Sequence, residues 1–349
     1  MTIRTSTRPD ARPTLGDVAR LAGVSTATAS KAFNDHADVA SATRERVAHA
    51  ARRLGYTPRV RGNNSRATQI WVAFDDLANP YSATVLEGLL AAAPRLSAAV
   101  WPALWGGPDD YEPRPSTPAW IRQGQQQGAQ AFVLVTTPVA QEHVEACAQR
   151  GSPLVVVDPA SAVPDGAMSV GATNWRGGVQ ATEHLLALGH RRLAFVGVPA
   201  SSTPGTERLA GFRSALASAG LPASAGIERP GTFQHDDGLQ CRELLVRADG
   251  PTAIFAASDS VALGVLEAAR SAGLRVPEDL SVVGFDDSYA AILAAPQLTT
   301  VRQPLMEMGR LALQTAVQGA RGASVAGTPV QLATRLVVRG STGVAPAPR

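Results

Sequence analysis

Residues 14–34, TLGDVARLAGVSTATASKAFN, constrain this chain more than any other stretch, because they specify two short helices joined through one glycine. Thr14, followed three residues later by Asp17, makes a capping-box start, and Leu15, Val18, Ala19 and Leu21 give the first helix an apolar face. Gly23 supplies the turn, Val24 packs, and Ser25 caps the second helix. In that helix Ala29, Ala32 and Phe33 face inward, which leaves Thr26, Ala27, Ser30, Lys31 and Asn34 outward. A face that is small, hydroxylated and singly charged suits close approach to base edges and phosphates, although an ordinary small helical bundle has the same periodicity. A third helix over 41–54, SATRERVAHAARRL, starts at the N-cap Ser41 and turns Val47, Ala50, Ala51 and Leu54 inward. Gly55 stops it, completing a compact three-helix head.

The charge distribution favours a polyanionic partner. Residues 1–66 hold 12 Lys and Arg against 5 Asp and Glu, while the whole chain holds 32 against 29. A head of net +7 therefore sits on a body of net −4, an asymmetry expected when one end meets nucleic acid. Lys31 is the only lysine, so arginine carries nearly all the positive charge. No apolar run approaches the length of a membrane span, and MTIRTSTRPDARPT lacks the hydrophobic core of a signal peptide, which predicts a cytoplasmic chain without a membrane partner. Cys147 and Cys241 lie far apart in helical patterns and read as reduced core thiols.

After Tyr56 and Pro58 comes RVRGNNSRATQ, polar and basic with almost no apolar anchors, which reads as a linker over 57–68. From residue 70 short apolar runs alternate with helical stretches. Strands are predicted at 70–74, 131–135, 153–157, 192–197, 252–257 and 280–285. Repeated strand–helix–strand units imply parallel sheets covered on both faces, and their number implies two α/β lobes with a ligand cleft between them. Asp75 and Asp76, Asp158, Asp259, and Asp286 with Asp287 each follow one of these strands. Carboxylates gathered at one edge can bind the hydroxyls of a polar ligand; each can equally cap the helix that follows it.

Enzyme readings find little support. A GxxxxGK[ST] phosphate loop needs a lysine that Lys31 does not supply in that context, and a lysine Schiff base would have to use Lys31 on the second head helix. His36, His49, His143, His184, His190 and His235 show no metal-ligand spacing; His184 and His190 flank a helix end, where they read as a C-terminal cap, and His235 lies near the expected cleft or in a solvent-exposed loop. The one G-x-S-x-G-like run, GVSTA at 23–27, lies in the helical head rather than after a strand. No cofactor is expected.

The ordered set of motifs resembles the LacI/GalR family of transcription regulators over nearly the whole chain. It comprises TLGDVARLAGVSTATASKAFN and VASATRERVAHAARRLGYTP, then DLANPY (76–81), NWRGGVQATEHLLALGHRRLAFVG (174–197) and ERLAGFRSAL (207–216), then SDSVALGVLEAARSAGLRVPEDLSVVGFDDS (258–288), LTTVRQP (298–304) and VVRGST (337–342). The resemblance implies an all-α helix-turn-helix head over 1–56, a hinge over 57–68 and a two-lobed periplasmic-binding-protein-like α/β effector domain over 69–345. Its N-lobe would take about 69–168 and 301–325, and its C-lobe about 169–300 and 326–342. It implies a repressor that binds a pseudo-palindromic operator in double-stranded DNA as a homodimer, with an affinity set by a small polar effector, a sugar or related metabolite. Linkage requires DNA and effector to shift each other's affinity by the same factor.

Position by position, the resemblance places Thr26 and Ala27 at base-reading sites and Lys31 where arginine is usual. Thr14, Ser25, Thr28, Ser30 and Asn34 match further backbone- or base-contacting positions, and Tyr56, Arg59 and Arg61 belong to the exit and hinge. For the effector it marks Tyr81, Asp158, Arg208, Phe233 and Asp259, with Asp76 and Asn174 behind them. Two stretches depart from the family pattern. The hinge position that usually carries a minor-groove leucine falls on Ser65 here. Residues 101–120, WPALWGGPDDYEPRPSTPAW, replace a regular strand and acidic helix, and Trp101, Trp105 and Trp120 are expected to pack as a local cluster or to wall the cleft or dimer surface.

Overall fold

The computed structural model describes residues 14–33, 39–54, 67–104, 117–323 and 329–347. The chain divides into two compact units, Met1–Arg66 and Ala67–Arg349.

The first unit holds α1 (Leu15–Ala22), α2 (Thr26–Phe33) and α3 (Ser41–Leu54). Its start is the capping box that the sequence predicts: Thr14 Oγ1 accepts from the Asp17 amide at 3.3 Å, and the Asp17 carboxylate accepts from the Thr14 amide at 2.9 Å. Gly23 ends α1 at φ 66°, the left-handed region that a side chain rarely adopts. Val18, Ala19, Ala22, Ala29, Val47, Ala50 and Ala51 form the core. Alanine dominates it, so the three short helices approach closely at little cost in side-chain entropy.

The second unit opens with β1 (Thr68–Phe74), β2 (Ala98–Leu104), β3 (Ala131–Val135), β4 (Leu154–Val157) and β5 (Met168–Ala172). It continues with β6 (Leu193–Val198), β7 (Gly226–Pro230), β8 (Ala253–Ala256), β9 (Ser281–Asp286) and β10 (Thr299–Arg302), and ends with the short β11 (Val330–Leu332) and β12 (Arg335–Val337). These make two six-stranded sheets, ordered β11-β5-β4-β3-β1-β2 and β12-β10-β9-β8-β6-β7. Every pairing is parallel except β10 with β12. The central strands β3, β4, β6, β8 and β9 are buried along their whole length, which explains their uninterrupted apolar sequences.

The crossings between sheets differ from the expected lobe limits by a few residues. The first sheet keeps β5 through Ala172, the second keeps β10 through Arg302, and β11 returns to the first sheet before β12 rejoins the second. The strands not expected from the sequence lie at or near sheet edges, where exposed positions in β2, β7, β11 and β12, and buried Ser and Thr in β5 and β10, break the apolar run. One of them is β2, half-exposed with Pro102 inside it, a residue an edge strand tolerates because one side of its backbone needs no partner.

Helices α4 (Pro80–Leu96), α5 (Thr117–Gln126) and α6 (Gln141–Ala148) follow the first strands. Next come α7 (Asn174–Ala187), α8 (Thr203–Ser218), α9 (His235–Leu239), α10 (Arg242–Leu245), α11 (Asp259–Ser271) and α12 (Tyr289–Leu293). The last, α13 (Leu305–Ala320), packs back on the first sheet through Leu305, Met308, Ala312, Leu313, Ala316 and Val317.

Three helix pairs cross on facing glycines. A Cβ built on Gly88 or Gly309 would lie 2.2 or 2.3 Å from a carbonyl oxygen of the partner helix, joining α4 to α13. The corresponding distances are 2.3 and 2.2 Å for Gly178 and Gly211 between α7 and α8, and 2.2 and 2.0 Å for Gly238 and Gly264 between α9 and α11. No side chain fits at these contacts, so the crossings fix how closely the helices cover the sheets.

Trp120 is buried against Trp71 and Phe132, with ring centroids 5.5 and 5.4 Å apart, while Trp101 is exposed on β2 and donates its indole N–H to Gln69 Oε1. Trp105 lies outside the described residues. Cys147 and Cys241 are free and buried, and burial pushes their thiols up to about 12 and about 11. His190 is fully buried rather than capping a helix, bonded to Thr252 and Ser281, and His184 bonds Thr342. His190 also meets the Gly343 carbonyl, so the C-terminal segment is tied to α7 through His184 and to the second sheet through His190. Among the described residues no helix is long and apolar enough to cross a membrane.

Candidate functional site

The head presents the outward face that the sequence predicts for α2. Thr26, Ala27 and Lys31 are exposed, and Thr28 and Ser30 are half-buried. Ser25 Oγ accepts from the Thr28 amide at 3.0 Å and shares a 2.8 Å hydrogen bond with Thr28 Oγ1, so these two hydroxyls build the helix N-terminus. The partial positive charge of two helix starts, at Thr14 and Ser25, lies on the same small domain as the exposed Lys31 and the basic last turn of α3, Arg52 and Arg53. Asn34, Tyr56, Arg59 and Arg61 lie outside the described residues, as does Ser65.

The second unit gathers a polar cluster where strands of both sheets end. Asp158 follows β4 with φ 42°, and its Oδ2 accepts from Tyr81 Oη of α4 at 2.8 Å. Asn174, the first residue of α7, is held by its Nδ2 on the Ala172 carbonyl and accepts from Arg208 Nε at 2.9 Å. Arg208 comes from the buried face of α8 and donates Nη1 to the Ala257 carbonyl at 2.7 Å. The same Nη1 lies 3.8 Å from Asp286 Oδ1, and the guanidinium stacks 3.8 Å from the Phe285 ring centroid and 5.7 Å from that of Phe233. Asp286 ends β9 at φ 114°, and Gln303 Nε2 donates to its Oδ1 at 2.7 Å. Phe233 has φ 64°. Among the described residues six non-glycines have positive φ, and three of them, Asp158, Phe233 and Asp286, fall in this cluster.

Of the residues expected to line the cleft, Tyr81, Asp158, Arg208 and Phe233 are therefore brought together. Asp259 is adjacent but committed to the protein: Oδ1 accepts from Thr300 Oγ1 at 2.6 Å, and Oδ2 accepts from the Ser288 amide and hydroxyl at 2.7 and 2.9 Å. It braces the start of α11 against the β9 and β10 ends. Asp76 shapes the turn before α4, accepting from the Ala78 amide at 2.7 Å and from Asn79 Nδ2 at 3.3 Å. Asp286, Phe285 and Gln303 join the cluster without having been singled out. Asp286 was visible only as one of several strand-end carboxylates, and nothing in the sequence around Gln303 announces a site.

Burial dominates the electrostatics. It raises the Asp158 carboxyl, with the nearby Arg208 charge and the Tyr81 hydroxyl opposing it. Burial pushes Asp286 up to about 6 against the same guanidinium. Asp259 is raised well above the usual carboxylate range by burial and then by the charge of Asp286, and Tyr81 is raised by burial and by Asp158. Such perturbed groups at strand ends, between two lobes, are what a polar ligand site requires.

Residues 14–59 match the lacI family of bacterial regulatory proteins, and residues 182–342 match a periplasmic binding protein-like domain. The HTH-type transcriptional regulator DegA of Bacillus subtilis is 31% identical, with 95% of this chain and 98% of DegA covered. The chain belongs to the LacI family. CelR of Thermobifida fusca is 34% identical over 95% of this chain and 98% of its own, and a CelR–cellobiose complex superposes with a TM-score of 0.70 at 33% identity, covering 95% of this chain and all of that one. The lac repressor dimer bound to operator and the anti-inducer ONPF gives a TM-score of 0.78 at 29% identity with the same coverage. As a LacI-family member the chain is a DNA-binding transcription regulator, not an enzyme, with a helix-turn-helix head and a two-sheet α/β body.

Proposed function

We propose that this regulator is a repressor that binds a pseudo-palindromic operator as a homodimer and whose grip on DNA is set by a sugar held in the body's polar cluster. The observation that carries the reading is the Tyr81–Asp158 and Asn174–Arg208–Asp286 network, which draws donors and acceptors from both sheets onto one point. Carboxylates, an amide and a guanidinium flanked by Phe233 and Phe285 match a ring that carries hydroxyls. In support, CelR is known in complex with cellobiose, and another relative, 30% identical, is the ribose operon repressor of Escherichia coli. Tyr81, Asp158, Asn174, Arg208 and Phe233 contact the sugar; Asp259 acts from behind them, bracing Ser288 and Thr300 at the start of α11. Asp76 orients the first turn of α4, which carries Tyr81.

On the DNA side Thr26 and Lys31 supply hydrogen-bonded readout, Ala27 offers apolar contact such as to a thymine methyl, and Thr14, Ser25, Thr28 and Ser30 hold the phosphate backbone. Asn34, Tyr56, Arg59 and Arg61 extend that contact. The work is done in the cytoplasm, where the operator is.

Lys31→Ala is expected to weaken operator binding about tenfold or more, with a shallower salt dependence, as read by fluorescence anisotropy across a salt series. Unchanged affinity and slope would remove Lys31 from the interface. A thermal-shift screen of sugars on the full chain, followed by operator binding with each hit, tests the whole reading. A hit that leaves operator affinity untouched would break the coupling.

A further inference from the structure

The cluster is lopsided in both charge and hydrogen-bonding capacity. Asp158, Asp259 and Asp286 are 3%, 1% and 6% exposed, and Glu207 of α8 is close enough to feel the charge of Asp158. Among the described residues, the cation that bears on Tyr81, Asp158, Glu207 and Asp286 alike is Arg208. Its Nε and Nη1 donate to Asn174 and the Ala257 carbonyl, the same Nη1 lies 3.8 Å from Asp286, and its face lies on Phe285, so one guanidinium stands against several carboxylates. The other guanidinium at the β10 end, Arg302, is paired with Asp287, which also takes Arg339 at 2.6 Å.

The hydrogen-bonding imbalance has the same direction. Gln303 is 3% exposed, its Nε2 is committed to Asp286, and its Oε1 is buried with no partner. The Asp286 bond fixes which end of this amide is the oxygen, so an orphaned acceptor stands beside the carboxylate. A buried acceptor without a donor costs free energy until something supplies one. The site thus asks for O–H or N–H groups and has no spare positive charge to offer.

Resting on the sugar reading above, we infer that the effector is an uncharged, hydroxyl-rich sugar, and that this site rejects phosphorylated and other anionic forms of it. A phosphate dianion brought within a few ångströms of these carboxylates would meet repulsion that a single guanidinium, itself paired with Asp286, does not offset. In a partly buried site this corresponds to a weakening of roughly 100-fold or more. Gln303 then serves as a specificity residue, its Oε1 accepting from a sugar hydroxyl.

The test is isothermal titration of the full chain with glucose, ribose and cellobiose and with the phosphorylated form of each. The expected result is that any sugar that binds does so at least 100-fold more tightly than its phosphate. It is also expected that Asp158→Asn/Asp286→Asn narrows that ratio at least tenfold, and that Gln303→Leu weakens the neutral sugar. A phosphorylated sugar that binds as well as its parent overturns the inference while leaving the sugar reading intact. A ratio unchanged in the double variant overturns it too, since the exclusion would then be steric. If no compound of either kind binds, the sugar reading falls and this inference with it.

Discussion

A chain carrying Gly178→Ala is expected to melt roughly 3–5 °C below the parent, because about 2–3 kcal/mol of overpacking acts on a unit of this size. The added methyl would lie 2.3 Å from the Arg208 carbonyl oxygen, a backbone atom that cannot rotate away. To accommodate it, α7 and α8 must separate, and α8 carries the Arg208 side chain that bonds Asn174 at the start of α7. The same substitution should therefore weaken effector binding even though residue 178 touches no ligand. Gly16→Ala is a suitable comparison, since a Cβ there meets nothing closer than 3.6 Å. Thermal unfolding of both chains, with and without effector, decides the matter. A Gly178→Ala protein with parental stability would show that the crossing is looser than its geometry.

The second large effect concerns charge. Arg208→Ala is expected to cost about 3–5 kcal/mol at neutral pH, the usual penalty when one partner of a buried ionic group is removed. Arg208 is 4% exposed, and its loss leaves Asp158 and Asp286 facing each other without compensation. The sign of the pH dependence follows from the raised carboxyls. A folded-state pKa above the unfolded one means that burying the ionised group costs stability at high pH, and that this cost fades as pH falls. For Asp286, pushed up to about 6 in the parent, the cost is complete above that value and relieved between it and the ordinary carboxylate range. Without Arg208 the carboxyl rises further, so the deficit of the variant should be greatest at pH 7 to 8 and shrink toward pH 5. Adding Asp286→Asn should restore part of the loss at neutral pH, because the amide removes a buried charge and can still accept from Gln303. Urea unfolding of the parent and the single and double variants at pH 7.5 and 5 reads all of this. A deficit equal at both pH values would mean that lost packing on Phe285, not charge, explains it.

These two substitutions illustrate how much of the molecule its sequence encodes locally. The head was legible in detail: Thr14, Asp17, Gly23 and Ser25 act within three or four residues of themselves, through capping bonds and one left-handed turn, while Ser41, expected to cap α3, is instead its first residue. The buried strands were equally legible, since a strand covered on both faces must be apolar at every position. Edge strands such as β2 and β7 were not, because their exposed positions dilute the apolar run and leave it indistinguishable from loop.

The site divides along the same line. Sequence alone determined the class of the chain: a basic three-helix head, a parallel two-lobed body, and carboxylates after successive strands, together with the family motifs that single out Tyr81, Asp158, Arg208 and Phe233. Only the tertiary structure decided which of those carboxylates share a site. It turned Asp259 toward Ser288 and Thr300, set Asp76 to its own turn, and brought Asp286, with Gln303 bonded to it, beside Arg208. The physical reason is range. Caps and periodicity are settled by neighbours a few residues away, whereas the partner of a buried charge is chosen by where two sheets and the glycine-spaced helices α7 and α8 place side chains that lie far apart along the chain.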